Sequence, residues 1–182
     1  LDGRDEVTLH EQLEQDLATA RYGVHREIRY PGARKHRRKS EGDRCDLVLT
    51  PEQAPLEVPE ADATLFADDS AFSLEDAFWL EVKVVSQFTE EGANGNYSTQ
   101  LLSTVREDVT KLSRDQGILH AGLLIMLFTA NEEIATHDLG IWQDRCLERS
   151  LPIASPCHRV IPITDRLGNR TCTIRIYPVG HY

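Results

Sequence analysis

Residues 78–85 read FWLEVKVV, a strand-forming run with two charges at its centre. Glu81 and Lys83 stand two apart, so they project from the same face of a strand. Holding both in an otherwise apolar strand costs free energy unless they are paired or occupied by a ligand. Upstream, DLVLT at 46–50 is a short buried-type strand that begins at an acid. If the two strands are neighbours, Asp46 and Glu81 converge. Two adjacent carboxylates repel, which favours a bound divalent cation, and hard oxygen donors suit Mg²⁺ or Mn²⁺. Such an ion can activate water and neutralise charge on a phosphodiester. Lys83 could position that water or stabilise the developing negative charge. The plain alternative for Glu81 and Lys83 is a solvent-facing strand edge with a cross-strand salt bridge.

Outward from this centre, the pattern gives a helix over about Thr8–Ala20, with Leu9, Leu13 and Leu17 on one stripe. Thr8-Leu9-His10-Glu11 fits a capping box at its start. VHREIRY at 24–30 alternates, placing Val24, Arg26, Ile28 and Tyr30 on one face and His25, Glu27 and Arg29 on the other. Pro31-Gly32 opens a turn, and the basic run 34–39 reads as an exposed loop. Residues 51–77 form a long acidic insertion and 92–97 (GANGNY) a turn-rich loop. A helix follows over 98–114, with Leu101, Leu102, Val105, Val109 and Leu112 on one stripe. HAGLLIMLFTA at 120–130 suits a strand covered on both faces. Residues 136–150 read as a helix, and 159–163 and 171–177 as strands joined by the turn at 165–170. The order αβββαβαββ mixes hairpin and crossover connections. That implies an α/β domain with a mixed sheet and helices on both faces.

RCDLVL at 44–49 followed by WLEVK at 79–83, in an αβββαβ order, resembles the PD-(D/E)XK nuclease superfamily. The resemblance covers roughly residues 8–130 of a single 1–182 domain, with 136–182 as a family-specific addition. It implies a restriction-endonuclease-like three-layer α/β/α fold and a Mg²⁺-dependent nuclease acting on nucleic acid, DNA before RNA. Asp46 and Glu81 would hold the metal, with the Val82 carbonyl a further ligand, and Lys83 would assist catalysis. No proline precedes Asp46, since Cys45 stands there; such proteins often lack that proline of the motif. The acidic insertion lengthens the spacing between Asp46 and Glu81. Some members add a glutamate from the first helix, for which Glu11 or Glu14 would serve. Glu27, Gln100, Asp108 and Lys111 are further candidates, although Asp108 and Lys111 are spaced to pair with each other. Relatives often act as homodimers or with a partner protein. The alternative function is a catalytically silent nuclease-like domain that binds nucleic acid or a protein.

The chain has 182 residues, 40% hydrophobic and 27% charged, enough for one self-sufficient domain. Its net charge of −10 argues against a bulk nucleic-acid coat protein. The charge is uneven. Residues 21–44 carry nine of the 20 basic residues and three acids, a net of +6 that leaves −16 for the remainder. Arg34, Lys35, Arg37, Arg38, Lys39 and Arg44 are therefore the candidate phosphate contacts, although such a run also serves as an ordinary solvated loop. Cys45, Cys146, Cys157 and Cys172 lack C-x-x-C spacing, which suits reduced thiols and a cytoplasmic setting. Cys157-His158 has no supporting acid and reads as strand packing. The polar, acidic opening is not the pattern of a secretory signal. The longest apolar run is strand-sized, so no membrane partner is expected. No HExxH, GxxxxGK[ST] or GxGxxG occurs, which disfavours zinc hydrolysis and nucleotide-driven chemistry.

Overall fold

A computed structural model describes residues 6–32, 43–57, 71–164 and 167–181. The elements are α1 (Glu6–Thr19), β1 (Gly23–Arg29), β2 (Arg44–Thr50), β3 (Phe78–Ser86), β4 (Phe88–Thr89), β5 (Gly92–Ala93), α2 (Tyr97–Thr99), α3 (Val105–Arg114), β6 (His120–Thr129), α4 (Glu132–Glu148), β7 (Cys157–Pro162) and β8 (Thr171–Val179). A π-helical stretch, Gln100–Thr104, joins α2 to α3.

Six strands form one sheet in the order β1-β2-β3-β6-β8-β7, and β4 and β5 form a small separate ribbon. Only β3 and β6 run parallel; the other neighbours are antiparallel. Parallel neighbours need a long crossover, and residues 87–119 supply it with α2 and α3. The expected mixed α/β architecture is therefore present. The C-terminal segment is not an appendage: β8 pairs with β6 from Ala121↔Val179 to Thr129↔Thr171, so it completes the sheet.

Each face of the sheet has its own apolar layer. On one side, Trp79, Leu123, Ile125 and Leu127 pack with Val105, Val109 and Leu112 of α3 and Leu139 and Trp142 of α4. On the other, Leu47, Leu49, Leu80, Val82 and Leu124 meet Leu13 and Leu17 of α1. Continuous burial explains why β6 is apolar at almost every position. Among the described residues no helix is long and apolar enough to cross a membrane.

Several local expectations are corrected. α1 already includes Glu6, so Thr8 lies inside the helix and does not cap it with Glu11. α4 starts at Glu132 because the Asn131 side chain accepts a hydrogen bond from Ile134 N, four residues before the expected start. β1 does not alternate throughout. Glu27 has φ 52°, in the left-handed region. Pairing with β2 accordingly passes from Arg26↔Leu47 to Ile28↔Cys45. The strand turns over at that point. Val24 packs on the α1 side, whereas Ile28 and Tyr30 pack on the α3 side. The flanks of the acidic insertion are tied together by a Leu56↔Phe72 bridge; residues 58–70 lie outside the described residues. Cys157 is exposed on edge strand β7, not packed inside.

Candidate active site

The β2–β3 ladder runs from Leu49↔Phe78 to Leu47↔Leu80 and stops there. One step on, the Asp46 carboxylate takes over: Val82 N donates to Asp46 Oδ2 at 2.8 Å. This puts Asp46 beside Glu81, close enough for its charge to raise the Glu81 carboxyl. Glu81 and Lys83 lie on the α3 side, alternating with Leu80 and Val82 on the α1 side. Val82 meets the site through its backbone, which runs between the Glu81 and Lys83 side chains.

Glu81 is 2% exposed, which for a carboxylate demands partners. Tyr30 Oη donates to Glu81 Oε1 at 2.6 Å. The Tyr30 ring stacks on Trp79 with centroids 5.4 Å apart, and Trp79 Nε1 is anchored on the Leu74 carbonyl at 2.9 Å. Burial, then the Asp46 charge, push the Glu81 carboxyl up to about 8; the Tyr30 hydrogen bond opposes them, and the Asp108 charge adds to the rise. Burial, then the Glu81 charge, hold the neighbouring Cys45 thiol well above its ordinary range, so it is an inert packing group.

Lys83 reaches across to α3. Its Nζ lies 3.4 Å from Asp108 Oδ2, while Lys111 Nζ lies 3.0 Å from Asp108 Oδ1. Asp108, at 2% exposed, is thus shared by two ammonium groups. The expected Asp108–Lys111 pairing is present, but it is not a surface pair. A signal for this existed in the sequence: Asp108 falls three residues after Val105 and four before Leu112, on the helix's own apolar stripe. Tyr30 had no such signal, because it reaches Glu81 only through the reversal at Glu27.

The remaining candidates fall elsewhere. α1 packs on the opposite face of the sheet, so its acids do not join the site; Glu14 sits 3.5 Å from Arg26, and Glu11 is exposed. Glu27 is exposed, and its carbonyl accepts from Arg44 Nη1 at 2.8 Å. Gln100 is exposed, and its Oε1 accepts from Asn94 Nδ2 at 3.0 Å. Arg44 is exposed at the start of β2, two residues from Asp46. Arg34, Lys35, Arg37, Arg38 and Lys39 lie outside the described residues.

The donor set suits a hard divalent cation. Asp46 Oδ2 accepts from Val82 N and Glu81 Oε1 from Tyr30 Oη, so Asp46 Oδ1 and Glu81 Oε2 would be the atoms to meet an ion. Burial first and the Asp46 charge second raise the Glu81 carboxyl, and a cation between the two acids would oppose the second of these. Two carboxylates with retained water match the habits of Mg²⁺. Among the described residues no cluster of three or more His, Cys, Asp or Glu side chains is arranged to hold a metal. Family models, curated proteins and solved structures all lack a match to this chain.

Proposed function

We propose that this protein is a Mg²⁺- or Mn²⁺-dependent nuclease with a restriction-endonuclease-like fold, hydrolysing phosphodiester bonds, of DNA before RNA. One observation carries the reading: two carboxyls from separate strands meet where the β2–β3 ladder ends, with the Lys83 ammonium one strand repeat beyond Glu81. Acid meets acid here, and Lys83 also reaches Asp108 on α3.

In this reading Asp46 and Glu81 hold the cation, with the Val82 carbonyl as the adjacent backbone oxygen. When bound, the ion supplies Lewis-acid stabilisation of the phosphodiester and a more acidic water. Tyr30 fixes the Glu81 rotamer, and Trp79 stacked on it keeps that arrangement rigid. The Lys83 ammonium orients the attacking water and stabilises charge on the phosphoryl oxygens. The cation-rich segment 21–44 leads into β2 and supplies backbone contacts, Arg44 nearest to Asp46.

The test is cleavage of linear and circular, single- and double-stranded DNA, and of RNA, in Mg²⁺ or Mn²⁺. Cleavage that EDTA abolishes and Lys83→Ala slows by about 10²-fold or more is the expected outcome. Cleavage surviving both changes overturns the reading. Binding without turnover in any divalent metal assigns the catalytically silent alternative.

A further inference from the structure

Asp108 occupies a position on α3 where an apolar residue is the ordinary choice, flanked on its stripe by Val105, Val109 and Leu112, all fully buried. Two ammonium groups flank it: Lys111 Nζ donates a hydrogen bond to Oδ1, while Lys83 Nζ stands at ion-pair distance from Oδ2, which has no hydrogen bond of its own among the described residues. Lys83 and Lys111 take one carboxylate oxygen each, at 3.4 and 3.0 Å. Their side chains keep 23% and 38% of their surface, so both cations can be reached from outside while the carboxylate between them cannot. Lys111 stays an ammonium: burial pulls its titration down, but the Asp108 hydrogen bond and the charges of Asp108, Glu81 and Asp43 outweigh it.

The charges around Glu81 also need Lys111. With the adjacent exposed pair Asp43 and Arg44 set against each other, Asp46, Glu81 and Asp108 oppose Lys83 and Lys111, a net of −1 when every group is ionised. One divalent cation converts this to +1, the complement of a phosphodiester monoanion. Without Lys111 the loaded site would be neutral.

We propose that Lys83 and Lys111 form one seat for the non-bridging oxygens of a substrate phosphate, with Asp108 as the positioning residue that sets both ammonium groups. This rests on the nuclease reading and extends it, making Lys111 a second substrate-binding cation contributed by α3. Asp108 touches no substrate; it acts by fixing two side chains that otherwise sample many rotamers.

Fluorescence anisotropy with a short duplex DNA, in Ca²⁺ across a salt series, tests the seat without turnover. Lys111→Gln is chosen because Lys111 is partly exposed and the variant keeps the stem. The expected result is binding weakened about three- to tenfold at low salt, a log Kd against log salt slope shallower by about one, and restoration of both by Lys111→Arg. Asp108→Asn should bind DNA at least as tightly as the wild type, having lost a negative charge, yet show single-turnover cleavage at least about tenfold slower. A Lys111→Gln variant with wild-type affinity and salt slope, in a protein whose wild type cleaves DNA, overturns the seat and leaves the nuclease reading standing. A wild type that cleaves nothing in Mg²⁺ or Mn²⁺ overturns the nuclease reading and the seat with it.

Discussion

Replacing Glu81 with Gln isolates the electrostatic core of the site. Glutamine keeps the shape and still accepts from Tyr30 Oη, but cannot ionise. In the metal-free protein, Glu81 titrates near 8 against an ordinary value of 4.5, because of burial first and Asp46 second. A carboxyl raised in this way binds its proton more tightly folded than unfolded. Its contribution to stability is therefore fully present below about pH 4.5, falls as pH rises, and levels off above about pH 8. The slope within that window is about 1.4 kcal/mol per pH unit. Glu81→Gln lacks this loss, so its stability relative to wild type should grow by about 4 kcal/mol between about pH 5 and pH 9. Urea unfolding in EDTA, followed by the fluorescence of the buried Trp79 and Trp142, measures the difference; other titrating groups cancel between the two proteins. Saturating Mn²⁺ should stabilise wild type and leave the variant unchanged. Two stability–pH curves that run parallel in EDTA would refute the buried, acid-coupled carboxyl.

Asp46→Asn keeps an acceptor for Val82 N while removing charge beside Glu81, so the metal-free protein should be at least as stable as wild type; Asp46→Ala should be about 1–3 kcal/mol less stable than Asn, since it orphans that buried N–H. Equal losses in the two variants, by the same urea titration, would contradict this. Tyr30→Phe removes a hydrogen bond that favours ionised Glu81, so Mn²⁺ affinity at pH 7 should drop about three- to tenfold by calorimetry; unchanged affinity would separate Tyr30 from the site. Because the cation must displace the Glu81 proton, wild-type Mn²⁺ affinity should rise up to about tenfold per pH unit below about pH 8 and flatten above it. A pH-independent affinity would sink that coupling.

Much of the framework was legible because it rests on burial periodicity. FWLEVKVV, DLVLT and HAGLLIMLFT are strands of a mixed sheet, and α3 presents the apolar stripe its spacing implies. What was not legible depends on single backbone or long-range choices. Nothing in VHREIRY marks Glu27 for a left-handed conformation, yet that residue decides that Tyr30 faces Glu81. The sequence order of the last strands does not reveal that β8 enters the sheet between β6 and β7. Asp108 carried a readable signal in its place on the stripe, but its second partner, Lys83, comes from another element and needs three-dimensional structure. The acids of α1 fit the helix pattern of a nuclease site and fail only because that helix packs against the other face.

A crystal soaked in Mn²⁺ and measured for anomalous scattering addresses the pairing of Asp46 with Glu81 most directly. A peak between these two carboxyls, on the α3 side of β3 and within reach of the Val82 carbonyl, is the expected result. A peak elsewhere, or none at a Mn²⁺ concentration that stabilises the protein in solution, would contradict the proposal that these two acids exist to hold a cation.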